Sequence, residues 1–368
     1  MNNVTHNSIF KALELWAPKH LAYDWDNVGL QLGSKKTETT GVLVTLDVTE
    51  SVIEEAIEHN VNVIIAHHPM IFHPLKTIDY ESIKGKLIKK LIEHNITVYA
   101  SHTNLDIAKG GVNDLLSDQI ELEKVTPLVK THTESLVKLV VFTPISYVQQ
   151  VVDALSKAGA GHIGNYSHCT FQSAGTGTFK PLDGTTPFIG KQGEVEHVEE
   201  MKIETIVPEK NLHQVIEVMS EAHPYEEVAY DIIPLKNEGE TLGIGRIGSL
   251  KEEMTLLQLI NVIKTKYGVD YVRFVGDQTQ RIKRVAILGG SGEKYIEHAI
   301  NAGADVYITG DMTFHHAQDA KEEGLSIIDP GHYIEKIMKQ ATQQYIQAAF
   351  PQLKVIKSAV NTDPFQFL

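Results

Sequence analysis

Residues 61–74, VNVIIAHHPMIFHP, constrain the fold more than any other part of this 368-residue chain. They open with an apolar, β-branched run, interrupted only by Asn62, which is typical of a strand buried on both faces. The run ends at His67 and His68, and prolines then prevent a regular continuation. Because neighbouring strand side chains point to opposite faces, adjacent histidines can share a site only where the strand ends. The pattern predicts chemistry at the C-terminal end of a parallel strand, although on its own it also fits two histidines that open a solvated loop.

The composition limits the class of protein. A chain of 368 residues with 42% hydrophobic and 22% charged residues predicts two or three globular domains. Since no run of about 18 apolar residues occurs and the N-terminus lacks a signal pattern, we expect a cytoplasmic protein. The single Cys169 excludes an intramolecular disulfide and a cysteine zinc cage, leaving oxygen and nitrogen ligands. A net charge of -14 argues against general nucleic-acid binding, but leaves room for a local basic patch.

The segments around the histidine pair predict a repeated strand, helix, strand pattern. The predicted elements are a strand at 41–49, a helix at 51–60, a helix at 83–95 and a strand at 96–101. His102 and Asp106 follow the last strand, so parallel pairing would bring them to the same sheet edge as His67 and His68. Imidazoles and a carboxylate are metal-ligand types. Asp106 alone would also suit a helix or turn cap.

Residues 128–237 predict a different kind of domain. Their predicted order of strand, helix, strand, strand, helix, strand is that of a ferredoxin-like split unit, with hairpins and loops across residues 159–193. The histidines of this region, His197, His213 and His223, are dispersed along the sequence. We expect them to have surface or packing roles.

After a predicted loop at 237–241, the doubly wound pattern returns and supplies further candidate ligands. His332 and Glu335 stand three residues apart at the start of the last long predicted helix, which places them on one helix face. The fragment GGSGEK at 289–294 only weakly resembles a phosphate loop and predicts a glycine-lined turn or a substrate-facing loop. Seven histidines fall at predicted C-terminal strand ends: His67, His68, His73, His102, His315, His316 and His332.

The fold class predicted from these patterns is α/β, with two parts. Residues 1–127 and 238–368 form a discontinuous doubly wound domain with a mostly parallel sheet, since His67 and His332 can share a site only if both segments fold together. Residues 128–237 form an inserted ferredoxin-like α+β domain. Such an insertion must leave and re-enter the first domain at neighbouring points.

Six fragments, in chain order, carry a resemblance to a known family: WDNVGLQLG, AHHPMIFHP, SHTNLD, LGIGRIG, TGDMTFHH and GHYIEK. They cover most of residues 20–340 and resemble the NIF-three-like proteins, whose members are named GTP cyclohydrolase I type 2 homologues. The resemblance implies two divalent metal ions per chain. It places their ligands at His67, His68, Asp106, His332 and Glu335. Many members space the last pair four residues apart, where this chain has Lys336, but Glu335 lies on the same helix face.

The resemblance also implies an assembly. The middle segment is similar to PII- and CutA-type ferredoxin-like domains, which are typically trimeric, and shorter family members form closed rings. Closed symmetry is the usual outcome for oligomers. A homohexamer with metal sites that open to an internal space is therefore expected.

Two divalent ions about 3.5 to 4 Å apart can activate a water molecule, so the first functional hypothesis is a metal-dependent hydrolase. Its substrate would be a nucleotide or related small molecule, with GTP cyclohydrolase chemistry implied by the resemblance. Imidazole and carboxylate ligands favour zinc, with iron or manganese as alternatives. The second hypothesis is a non-catalytic regulatory metalloprotein whose PII-like domain senses a ligand or partner. Nucleic-acid binding ranks third.

Overall fold

The structure, a computed structural model, describes residues 4–366. Residues 1–3 and 367–368, which belong to the predicted domain at 1–127 and 238–368, lie outside the described residues. The chain forms two compact units. Unit 1 consists of Met1–Thr131 and Leu242–Leu368, and unit 2 of His132–Thr241. None of the helices within the described residues has both the length and the apolar composition needed to cross a membrane.

The helices and strands alternate through most of the chain. The strands are β1 Gly29–Leu32, β2 Val42–Thr45, β3 Val63–Ala66, β4 Thr97–Ala100, β5 Glu123–Pro144, β6 Thr170–Phe179, β7 Glu196–Pro208, β8 Tyr230–Thr255, β9 Arg273–Val275, β10 Arg281–Ser291, β11 Val306–Gly310, β12 Ser326–Asp329 and β13 Val355–Lys357. The α-helices are α1 His6–Trp16, α2 Glu50–Glu58, α3 Ile83–Glu93, α4 Thr103–Ile107, α5 Val112–Gln119, α6 Val148–Lys157, α7 Leu212–Ala222, α8 Leu256–Tyr267, α9 Ile296–Asn301, α10 Phe314–Glu322 and α11 Ile337–Ala349.

Unit 1 is a mixed α/β unit with two mixed sheets. The first has the order β1-β4-β3-β2-β13 and is parallel except for β1, which pairs antiparallel with β4. In the second, β10, β11 and β12 are parallel, and β8 and β9 flank them as antiparallel neighbours. The prediction of one doubly wound sheet needs correction here, because the structure divides these strands between two sheets.

Helices packed between the sheets explain the division. Helix α11 contacts α1, α5 and β2 of the first sheet, while α5 contacts β10 of the second. One hydrophobic cluster contains Val44 of the first sheet, Leu116 and Ile346 of these helices, and Ile308 of the second sheet. Each is at most 1% exposed. Helices buried on several sides therefore keep the two sheets apart.

The predicted loop at residues 237–241 is wrong, because these residues lie within β8. Two glycines show why polar, glycine-rich sequence can still form a strand here. A Cβ atom at Gly243 would lie 1.9 Å from the carbonyl oxygen of Val129, and one at Gly239 would lie 2.8 Å from that of Glu134. In this strand, glycine marks a close backbone approach and not a turn.

Unit 2 contains a sheet with helices on one face. Strand β7 pairs antiparallel with both β5 and β6. The hydrophobic cluster of this unit joins Leu139 and Ile203 of the sheet to Val151 of α6 and Val215 of α7. All four are fully buried, so the two helices cover a single face of the sheet. Strand β6 lies within residues 159–193, where the sequence predicted hairpins and loops.

Candidate metal centre

The histidine pair lies just beyond the end of β3. The N–H groups of His67 and His68 donate to the carbonyl oxygens of Thr45 and Leu46, 3.2 and 2.9 Å away, so the chain still follows the neighbouring β2 segment. The His67 side chain is fully buried, whereas that of His68 is 24% exposed. The strand therefore ends by placing one imidazole in the interior and the other at the edge of a cavity.

The next strand, β4, leads directly into His102 and the short helix α4. Asp106 lies in α4 and is 6% exposed. The Asn104 side chain accepts from the His102 backbone N–H at 2.9 Å, which closes the turn between strand and helix. The parallel pairing of β3 with β4 thus delivers His102 and Asp106 to the end of the sheet that carries His67 and His68.

His332 and Glu335 come from the second sheet of unit 1. They lie in the 3-10 helix His332–Lys336, which follows β12 and precedes α11. The sequence predicted them at the start of the long helix itself. A 3-10 helix has three residues per turn, so side chains three positions apart eclipse each other. This geometry accounts for a spacing of three.

Glycines make room for the buried Glu335 side chain. A Cβ atom at Gly290 would lie 2.7 Å from Glu335 Oε1, and one at Gly289 would lie 3.1 Å from the same oxygen. Gly290 also has a positive φ of 67°, which favours glycine. Residues 289–291 of the GGSGEK fragment therefore form the end of β10 and not the predicted turn, and their glycines leave room for a carboxylate. The later residues of the fragment line the adjacent cavity.

The candidate ligands converge on Glu335. Its Oε2 atom lies 3.1 Å from the Nε2 atoms of both His68 and His332, and 3.8 Å from that of His67. On the other side, His67 Nε2 lies 3.4 Å from Asp106 Oδ1. The five residues predicted from the sequence thus lie together in the structure.

Three overlapping groups within this cluster could hold a metal ion, each with its ligand atoms within 4.8 Å of one another. They are His67, Asp106 and Glu335; His68, His332 and Glu335; and His67, His68 and His102. Glu335 belongs to two of the groups. His102, which was outside the predicted ligand set, belongs to the third.

Two atoms at the centre of the cluster are buried and lack any hydrogen-bond partner: His67 Nε2 and Asp106 Oδ1. Buried polar atoms are nearly always hydrogen-bonded, so such a pair requires an explanation. A cation bound between an imidazole nitrogen and a carboxylate oxygen would satisfy both atoms. The donor set therefore fits a metal ion.

The other ring nitrogen of each histidine has an oxygen partner. His67 Nδ1 lies 2.9 Å from the Ser101 carbonyl oxygen, His68 Nδ1 2.6 Å from Asp47, His102 Nδ1 2.9 Å from Asp26 and His332 Nδ1 2.7 Å from Asp311. Such partners hold Nδ1 protonated and leave the Nε2 lone pair for a metal.

Sequence reasoning did not assign these carboxylates as partners of the histidines. Asp47 and Asp311 each follow a strand end, β2 and β11, and Asp26 lies in the WDNVGLQLG fragment. For Asp47 and Asp311, the position beyond a strand end was the available signal. Which histidine each would contact depends on tertiary structure.

Strong electrostatic coupling accompanies this geometry. Burial raises the pKa of Glu335, but the nearby imidazoles of His332, His67 and His68 outweigh it and hold that pKa well below its usual range. Burial lowers the pKa of His332, but Glu335 and Asp311 outweigh it and raise the value to about 9. For His67, burial again opposes protonation, and Asp106 and Glu335 raise its pKa. The carboxylates of the cluster thus favour positive charge among them, which is the charge that a bound metal ion would supply.

Three of the seven histidines at predicted strand ends lie outside the metal-binding groups of the described residues: His73, His315 and His316. His73 is exposed and contacts the Phe72 ring, with 4.7 Å between ring centroids. The His316 Nδ1 atom lies 2.7 Å from Thr313 Oγ1 on the exposed helix α10. In unit 2, His223 donates from Nε2 to the Phe142 carbonyl oxygen at 3.0 Å.

A cavity of about 430 Å³ adjoins the cluster and is lined by His68, Asp106, His332 and Glu335 among others. Its wall also contains Trp25 and Phe72, whose ring centroids are 5.9 Å apart. Lys294 places its ammonium group over the rings of Tyr23, Trp25 and Tyr295, at 5.9, 5.8 and 5.2 Å from the centroids. Aromatic surface and one cation therefore face the candidate ligands.

The mixed α/β fold with imidazoles and carboxylates at its strand ends defines a class of candidate metal-binding proteins. Within that class, the family model Duf34/NIF3 (NGG1p interacting factor 3) matches residues 4–364, and the chain belongs to this family.

Relatives of known name and structure match the whole chain. It is 52% identical over 365 residues to the GTP cyclohydrolase 1 type 2 homolog of Halalkalibacterium halodurans, covering 98% of each chain. It is 50% identical over 370 residues to that of Bacillus subtilis, covering 100% of this chain and 99% of the relative. The structure of a Bacillus cereus protein related to NIF3 superimposes with a TM-score of 0.93, at 49% identity and full coverage of both chains.

Proposed function

We propose that this protein is a metal-dependent hydrolase acting on a nucleotide or related small molecule. The observation that carries the proposal is the pair of buried atoms without hydrogen-bond partners, His67 Nε2 and Asp106 Oδ1, beside a cavity that Asp106 lines. The proposed metal ligands are His67, His68, Asp106, His332 and Glu335.

The grouping of these residues favours two ions per chain. His67 and Asp106 form one group and His68 and His332 another, and Glu335 belongs to both. Zinc is the metal that three imidazoles and two carboxylates favour first, with iron and manganese as alternatives. When bound, two such ions supply Lewis-acid activation of water and of the attacked bond.

The cavity wall supports a planar, anionic substrate. Trp25 and Phe72 offer ring faces for stacking, and Lys294 offers a positive charge opposite the carboxylates of the cluster. Among residues 4–366, Lys294 has no carboxylate within ion-pair distance, so its charge is free to meet an anionic group. The names of the relatives make GTP the first compound to test.

Metal analysis and a substrate screen on the same preparations test the proposal. Wild-type protein should contain two transition-metal ions per chain and hydrolyse at least one nucleotide in the presence of zinc, manganese or iron. His67→Ala should lose metal and turnover, while His73→Ala, an exposed histidine outside the cluster, should retain both. Turnover or metal content unchanged by His67→Ala would contradict the proposal.

A regulatory metalloprotein is the second candidate, and the cavity in unit 2 described below favours it. Under this alternative, the His67→Ala variant would lose metal, but wild type would turn over none of the nucleotides or phosphoesters tested. The same two measurements therefore separate the alternatives.

We also propose that unit 2 corresponds to an inserted PII- or CutA-like ferredoxin-like domain serving a homohexamer in the cytoplasm. The order β5, α6, β6, β7, α7, β8 supports the domain type, since it is that of a split β-α-β unit. A variant chain joining Pro127 to Glu238 by a short Gly/Ser linker should keep its metal, while the number of subunits per particle, measured by light scattering, changes. Loss of folding and metal together would contradict this domain assignment.

A further inference from the structure

One face of the unit 2 sheet is not covered by α6 and α7. Side chains alternate along a strand, so Glu200 and Lys202 point away from Ile203 and the helices. Together with Phe142 of β5, they line a cavity of about 850 Å³. This volume lies within the range of small-molecule sites.

The cavity contains a buried carboxylate. Glu200 is 7% exposed, and its Oε1 atom accepts a hydrogen bond from the Tyr225 hydroxyl at 2.9 Å. Burial and the Glu200 carboxylate raise the pKa of Tyr225, so that the hydroxyl stays a donor. No lysine, arginine or histidine nitrogen among residues 4–366 lies within ion-pair distance of Glu200. A buried carboxylate without a counter-charge is costly, which favours a positively charged partner.

A glycine leaves room for the second carboxylate oxygen of Glu200. A Cβ atom at Gly177 would lie only 2.0 Å from Glu200 Oε2. The bare backbone of β6 therefore lets the carboxylate lie against the strand, and Oε2 has no hydrogen-bond donor within the described residues. This oxygen is the open acceptor of the cavity.

Two further aromatic rings of the cavity pack against Tyr225, the donor to this carboxylate. Tyr225 packs against Phe179 and Phe188, with ring centroids 5.7 and 6.4 Å away. The Glu226 carboxylate accepts from the Thr186 backbone N–H at 3.0 Å and so fixes the segment that carries Phe188. Aromatic faces attract cations and also cover apolar groups.

The lysines of the cavity do not neutralise Glu200. Lys202 lies 3.3 Å from Glu204, and its side chain is 40% exposed. Lys180 is exposed at the rim. The negative charge of Glu200 is therefore the buried charge that a ligand would meet.

We propose that this cavity binds a small organic cation with N–H donors, such as an amine, amidinium or guanidinium, and an apolar body. The cationic group binds Glu200, and the body packs against Phe179, Phe188 and Tyr225. This site is distinct from the proposed hydrolase centre, since all its residues belong to unit 2.

Benzamidine and its neutral isostere benzamide test the proposal on the full-length protein by titration calorimetry. Wild type should bind benzamidine at least tenfold more tightly than benzamide, because a hydrogen bond to a charged group contributes about tenfold to hundredfold in affinity. Glu200→Gln should remove this preference. Glu199→Gln, at an exposed neighbour outside the cavity lining, should retain it.

The comparison of the two compounds on wild type does not depend on any variant folding correctly. Equal affinity for benzamidine and benzamide, or no binding of benzamidine, would overturn the proposal. So would a Glu200→Gln variant that folds normally by circular dichroism and still prefers benzamidine.

Discussion

The candidate metal centre of unit 1 and the cavity of unit 2 both contain a buried glutamate, but they compensate its charge differently. Glu335 is approached within 3.8 Å by the Nε2 atoms of three histidines. Glu200 has one neutral donor, the Tyr225 hydroxyl. A dense set of nitrogen and oxygen donors suits a multiply charged metal ion, whereas a single carboxylate among rings suits a singly charged organic ligand. The number of nitrogen and oxygen atoms that converge on the glutamate, more than the burial of the glutamate, separates the two kinds of site.

The largest expected effect comes from Glu335→Ala, which should break the metal centre and leave unit 2 unchanged. Since Glu335 belongs to two candidate metal groups, we expect metal content to fall to near zero in equilibrium dialysis. Glu200→Ala is the matched control in unit 2 and should keep its metal. Full metal content in Glu335→Ala would show that this carboxylate is not shared.

Metal removal should destabilise unit 1 selectively. A ligand at 100 times its Kd stabilises the folded state by about 2.7 kcal/mol. A chelator should therefore increase hydrogen exchange around His67, Asp106 and Glu335, while Leu139 and Ile203 in the core of unit 2 keep their protection. Equal loss in both units would indicate that the metal is not confined to this cluster.

A smaller effect is expected for the carboxylates that orient the histidines. Asp311→Asn should weaken metal affinity by about tenfold to hundredfold, since outer partners of metal-bound histidines contribute this much. The measurement is a competition titration with a chromophoric chelator. Asp319→Asn, on α10 and outside the cluster, is the control, and an affinity loss of the same size there would contradict the orienting role.

The smallest effect concerns the donor to Glu200. Tyr225→Phe keeps the ring and removes a donor to a carboxylate, so we expect a loss of about 1.5 kcal/mol in the free energy of unfolding. Chemical denaturation measures this loss. Metal affinity should stay at the wild-type value, and a change in it would mean that the two sites do not respond independently.

Local sequence patterns predicted the elements around the metal centre well. The β-branched run before His67 and the helical spacing of residues 51–60 depend on neighbouring residues only, and the structure has β3 and α2 there. The family membership predicted from six fragments is confirmed by the match over residues 4–364. The division into two sheets was not predictable in the same way, because it depends on helices that pack between distant strands.

The cavity of unit 2 shows what the sequence could not reveal. Glu200 lies in the charged run EHVEEMK, where nothing distinguishes it from its exposed neighbour Glu199. Its burial depends on Gly177 from β6 and Tyr225 from the segment after α7. Such a site emerges only when three separate segments are brought together by the fold.

The contact between His68 and Glu335 joins residues 267 positions apart, which has a consequence for biosynthesis. At about 5–20 residues per second, a ribosome needs roughly 13 to 50 s to extend the chain from the first residue to the second. Throughout that interval the nascent chain carries the histidine pair without the carboxylate that completes the cluster. Completion of the cluster is thus tied to the end of translation, and a chain truncated before residue 335 would lack its central carboxylate.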